Sequence, residues 1–126
     1  MSATSTGRLA EQASAKHLES LGFKLQALNW RNRRCEIDIV AEKSTGVMRR
    51  NKVIHFVEVK FRKSNNQGSG LDYITKAKLK QMDYAAQNWV YENDWHADYQ
   101  LDVVSVTRTN EVWEFELIEN VSLEFV

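Results

Sequence analysis

Apolar positions along the chain recur in two rhythms. In residues 8–21, RLAEQASAKHLESL, the positions Ala10, Ser14, Ala15, His17, Leu18 and Leu21 fall within one arc of about 160° when each residue turns by about 100°. This predicts an amphipathic helix, with Gly22 placed to cap its C-terminus. Glu11 falls inside that arc, between Leu18 and Ala15, and not on the polar side with Gln12, Lys16 and Glu19. Residues 73–91 predict a second helix, with Leu79, Met82, Ala85, Ala86 and Trp89 as its buried stripe and Lys76 and Lys80 together on the other side. Period-2 alternation predicts strands over 23–30, 36–42, 53–62, 99–106 and 111–118, with 122–126 extending the last or adding one. In the second strand Ile37, Ile39 and Ala41 share one face and Glu36, Asp38 and Val40 the other. In the third, Val53, His55, Val57, Val59 and Phe61 oppose Ile54, Phe56, Glu58, Lys60 and Arg62. Residues 43–51 and 63–70 read as loops, and 1–6 as a disordered tail before a single domain over 7–126.

Composition narrows the class. A chain of 126 residues can bury one core without staples. Cys35 is its only cysteine, which leaves neither a disulfide framework nor a thiolate cluster for zinc. No apolar run approaches the length of a membrane span, and MSATSTGR lacks the apolar core of a signal peptide, so no membrane partner and a cytoplasmic location are expected. Net charge is zero, but its distribution is uneven. Residues 1–80 hold 16 of the 17 Lys and Arg against 7 acids, whereas residues 81–126 hold one Arg against 10 acids. From Arg31 to Lys80 there are 13 bases and 5 acids, which suggests one side facing a polyanion.

Strand three ends in an unusual set of charges. If strands two and three pair as a hairpin, Asp38, Glu58 and Lys60 converge on one patch of sheet. Two carboxylates at close range repel unless a cation or a proton separates them. A hard divalent ion such as Mg²⁺ (or Mn²⁺) takes oxygen ligands, commonly one or two carboxylates plus waters and substrate phosphate. Such an ion acidifies water and neutralises phosphate oxygens, and a nearby ammonium steadies the charge that builds on phosphorus. The three residues are a workable kit for phosphodiester hydrolysis. Glu-Val-Lys alone is what any half-exposed strand can present. Asp38 behind it, and Glu11 in an apolar arc that demands a partner, give the pattern its weight.

The spacing Asp38, then Glu58-Val59-Lys60, resembles the PD-(D/E)xK signature of restriction-endonuclease-like nucleases. Gly7-Arg8 with Glu11, Asn29-Trp30-Arg31, Glu36-Ile37-Asp38, Val57 to Arg62 and Leu101 to Val104 together resemble the YraN-type family of small bacterial proteins. Ala10 stands where that family favours Gly, and Gln100-Leu101 replace Arg-Phe before Asp102. The resemblance implies an α/β fold with a mixed central β-sheet flanked by helices, of the restriction-endonuclease-like type and similar in architecture to archaeal Holliday-junction resolvases. It implies Mg²⁺-dependent (or Mn²⁺-dependent) cleavage of DNA, including branched or distorted DNA. Asp38 and Glu58 would bind metal, Lys60 would act on the attacking water, and Glu11 would be a further ligand or would position water at the metal. Arg31, Arg33, Arg34, Arg62, Lys76 and Lys80 are the candidate phosphate contacts. The alternative is a non-catalytic nucleic-acid-binding module that keeps the fold, and either reading is compatible with a monomer or a homodimer.

Overall fold

A computed structural model describes residues 5–63 and 74–122. Helix α1 spans Ser5–Ser20, strand β1 Lys24–Arg31, β2 Glu36–Thr45 and β3 Asn51–Arg62; helix α2 spans Lys76–Glu92, β4 Asp98–Thr109 and β5 Val112–Ile118. A 3-10 turn at Val47–Arg49 joins β2 to β3, which both run further into the expected loop than alternation indicates. Of the six residues expected as a tail, Ser5 and Thr6 are helical and 1–4 lie outside the described residues. Residues 64–73, which include most of the second expected loop and the start of the second expected helix, and 123–126, most of the expected last strand, also lie outside them.

The helix ends follow local chemistry. Gly22 takes φ +97°, and Phe23 N–H reaches back to Leu18 C=O at 3.1 Å, so α1 stops where the sequence places its cap. Thr75 caps α2, its hydroxyl accepting from Lys78 N–H at 3.0 Å. The Asn93 side chain closes the other end on Trp89 C=O at 2.9 Å.

The five strands lie in sheet order β1-β2-β3-β4-β5. β3 and β4, joined through α2, are parallel, and the other three neighbouring pairs are antiparallel. α1 lays Ala10, Ala15 and Leu18 on Ile39, Ala41, Val57, Val104 and Val106. On the opposite face α2 sets Ala85, Ala86 and Trp89 against Ile37, Val40, Ile54 and Phe56, while Leu79 and Met82 cover Val103. Each fully buried Leu, Ile or Phe in these layers contributes roughly 1.5–3 kcal/mol. The predicted stripe of α2 is the buried one in all five positions. This mixed five-stranded sheet between two helices is an α/β fold of the restriction-endonuclease-like type.

One predicted alternation fails. Ile37 packs with Val40 on the α2 side, whereas Ile39 and Ala41 pack on the α1 side. The partner strand breaks step at the same place: Ala27 and Trp30, three residues apart, both face α2. In the β1–β2 register Leu28 pairs with Ile39 and Trp30 with Ile37, so Asn29 stands opposite Asp38. Asn29 has φ +55°, a left-handed conformation that Asn adopts more readily than most residues. The two strands thus twist together by one position, and the side chains at 29 and 38 leave the ordinary up-down pattern.

Candidate functional site

The irregular pair forms where β2 leaves β3. The β2–β3 register runs from Thr45↔Asn51 to Ile39↔Val57 and goes no further. Beyond it Asp38 reaches across the opening, and its Oδ2 accepts from Val59 N–H at 2.8 Å in place of a backbone partner. Glu58 follows Ile54 and Phe56 in parity, on the α2 side, and its Oε2 meets Lys78 Nζ of α2 at 3.0 Å. Glu11 arrives from α1 on the other side of the sheet, and the Asn29 amide lies beside it. Asp38 is therefore the hub between a carboxylate from each face.

Electrostatics ties the three acids together. Loss of water pushes Glu58 up to about 7, the Asp38 charge adds to the rise, and Lys78 opposes it. Asp38 is raised chiefly by its own burial, against the pull of the Val59 N–H and the Lys78 charge. Glu11 is raised by burial and then by Asp38, with the Asn29 amide pulling it down. Its Oε1 is buried without a hydrogen-bond partner. An orphaned carboxylate oxygen beside Asp38 and Glu36 is a site short of positive charge. An all-oxygen donor set of this kind fits a hard divalent cation such as Mg²⁺ or Mn²⁺.

The three acids are strung along Asp38 and do not close on one point. Among the described residues, the group of His, Cys, Asp and Glu whose ligand atoms all lie within 4.8 Å of one another is His55, Asp102 and Glu119. Two of its members, His55 and Asp102, already bind each other, and Asp102 also holds the backbone. His55 Nδ1 meets Asp102 Oδ2 at 2.6 Å, while Asp102 Oδ1 accepts from Gln100 Nε2 and Asn120 N–H, both at 2.9 Å. Asp102 and His55 are buried, and we read the group as a knot that ties β3 to β4 and to the chain after β5.

The remaining sequence-predicted residues divide by position. Lys60 is exposed, two residues beyond Glu58 on the same side of β3. Arg31, Arg33 and Arg34 are exposed around the β1–β2 turn, and Lys76 and Lys80 are exposed at the start of α2. Asn32 fixes that turn: its Oδ1 accepts from Arg34 and Cys35 N–H, and its Nδ2 donates to Asn88 Oδ1 and Glu92 Oε2 of α2. Arg62 is placed differently from the other candidate phosphate contacts. It is buried, its Nε donates to Ser105 Oγ, and its guanidinium lies 3.8 Å from Glu116, because the alternation of β3 turns it under β4 and β5.

Lys78 is the residue that sequence reasoning missed. At about 100° per residue it falls between Ala85 and Trp89, inside the apolar arc of α2, as Glu11 falls inside that of α1. The same test applied to both helices finds both. Beside the Lys78–Glu58 pair lies a cavity of about 260 Å³ lined by Arg34, Glu36, Gln81 and Tyr84, among others.

Residues 10–106 match the family model described as Uncharacterised protein family UPF0102. A UPF0102 protein of Sulfurihydrogenibium sp. is 36% identical over 117 residues, covering 92% of this chain and 95% of the relative. A UPF0102 protein of Campylobacter concisus is 34% identical over 118 residues, covering 93% of each chain, and one of Mycolicibacterium smegmatis is 36% identical over 102 residues, covering 79% of this chain and 77% of the relative. The matched span contains Glu11, Asp38, Glu58, Lys60 and Lys78, and the chain belongs to the UPF0102 (YraN) family.

Proposed function

We propose that this protein is a divalent-metal-dependent nuclease that hydrolyses phosphodiester bonds of DNA, with branched or distorted DNA among its substrates. The observation that carries the reading is Asp38 standing between Glu58 and Glu11 where β2 and β3 part, with the Lys78 ammonium on Glu58. Asp38 and Glu58 would hold the ion, with Glu11 as a further ligand or as the acceptor that orients water. When bound, Mg²⁺ or Mn²⁺ supplies positive charge to phosphate oxygens and eases deprotonation of water. Lys78 and Lys60 give ammonium groups for charge developing on the phosphate. Arg31, Arg33, Arg34, Lys76 and Lys80 hold the DNA backbone without reading its sequence.

The test is cleavage of a panel of linear, nicked, flapped and four-way DNA in Mg²⁺ or Mn²⁺, with Glu58→Ala beside the wild type. The expected result is cleavage of at least one structure by the wild type, lost with EDTA and in Glu58→Ala. Binding without cleavage across the panel would overturn the nuclease reading in favour of a non-catalytic nucleic-acid-binding module.

A further inference from the structure

The outer flank of α1 and the edge strand β5 enclose a second concave surface, of about 500 Å³. Gln12, Lys16 and His17 line it from the helix, and Arg108, Trp113 and Phe115 from the β4–β5 hairpin. Its walls are flat and aromatic. His17 stacks on Phe115 with ring centroids 4.3 Å apart and planes at 8°, and the Arg108 guanidinium lies 4.7 Å over the Trp113 ring. No carboxylate is among the described residues that line it. That is notable in this part of the chain, because Arg108 is the one Lys or Arg after Lys80 and ten acids share that half. The flank is distinct from the carboxylate site: Lys16 lies about 140° round α1 from Glu11 at 3.6 residues per turn.

We propose that this groove binds unpaired, single-stranded nucleic acid. His17, backed by Phe115, and the Arg108 guanidinium, backed by Trp113, are the planes on which bases stack, a contact open to every base because every base has a π-face. Trp113 and Phe115 are alternate residues of β5, so their Cα atoms stand about 6.6 Å apart along the strand. An unpaired strand laid along β5 can set one base on each of the two stacked pairs. Lys16 and Arg108, both exposed at the rim, take the phosphates. A duplex keeps its bases stacked inside and gains nothing from the rings. An acidic peptide could use the cations but has no run of flat faces to set on the aromatics. The inference goes beyond the nuclease reading and does not depend on it, since binding here requires no metal and no cleavage.

The test is fluorescence anisotropy of labelled oligo(dT) ten nucleotides long, in EDTA, with the wild type, Lys16→Ala/Arg108→Ala and the charge-matched control Lys24→Ala/Lys52→Ala. The expected result is saturable binding that is nearly unchanged in the control and about tenfold or more weaker in Lys16→Ala/Arg108→Ala, all four substituted residues being exposed and outside the core. Oligo(dT) should also quench the tryptophan fluorescence, and Trp113→Phe should remove most of that quench while its thermal melt stays close to wild type. Equal affinity in Lys16→Ala/Arg108→Ala overturns the proposal. So does competition by a ten-base-pair duplex or by oligo-glutamate of equal charge as effective as that of unlabelled oligo(dT).

Discussion

Glu11 and Lys78 are charged residues set inside the apolar arcs of two helices, and each finds its partner in the same opening between β2 and β3. Burial makes charge costly, and Glu58 shows how costly. Its carboxyl rises from an ordinary 4.5 to about 7, so between those values the folded chain holds its proton while the unfolded chain has lost it. Its contribution to stability is therefore complete below about pH 4.5 and is lost as pH rises through 7. The difference corresponds to roughly 3 kcal/mol. We expect Glu58→Gln to melt higher than the wild type at pH 8, by a few degrees, and to match it near pH 5. The gain is smaller than the full figure because Lys78 loses its charged partner. A variant equally destabilised at both pH values contradicts this account of Glu58. Glu58 and Lys60 are legible in the sequence through parity, Asp38 only through its spacing from Glu58-Val59-Lys60 because its strand leaves the alternation there, and Glu11 through its place on the wheel. Lys78 is equally legible there. The interior placement of Arg62 follows from Ser105 and Glu116, which lie more than forty residues away, and such partners come only with tertiary structure.

At the level of elements, both helices and all five strands follow from their periods, because each buries one face and the polar residues mark the other. The exception is the joint step at Asn29 and Asp38. Period-2 reasoning sends Ile37 and Ile39 to one face; in the fold they lie on opposite ones, beside the left-handed Asn29. The step is what aims Asp38 sideways at Val59 N–H instead of up or down from the sheet. A left-handed conformation costs a residue with a Cβ about 1–2 kcal/mol. Asn29→Ala should therefore lose about 1 kcal/mol in a urea melt, while Asn29→Gly stays within about 0.5 kcal/mol of the wild type. Equal losses in the two variants would show that the Asn29 amide, and not its backbone, holds the step.

Across the whole molecule, sheet order follows sequence order, so the uneven charge of the sequence becomes uneven charge in space. The basic first half builds β1, β2, β3 and the start of α2; the acidic second half builds the rest of α2, β4 and β5. Arg31, Arg33, Arg34, Lys76 and Lys80 are exposed on the basic side. Five such contacts predict that the logarithm of duplex DNA affinity falls with the logarithm of salt at a slope of about −4 to −5. A flat salt dependence would indicate that these cations do not meet phosphate. The centre of the account is the Asp38 hub as a divalent-ion site, and calorimetric titration with Mn²⁺ near pH 7 tests it most directly. We predict one site in the wild type, with protons released as the raised carboxyls ionise. Asp38→Asn should abolish it and Glu11→Gln should weaken it while melting at or above the wild-type temperature. Absence of binding heat in the wild type, or unchanged binding in Asp38→Asn, would contradict the account.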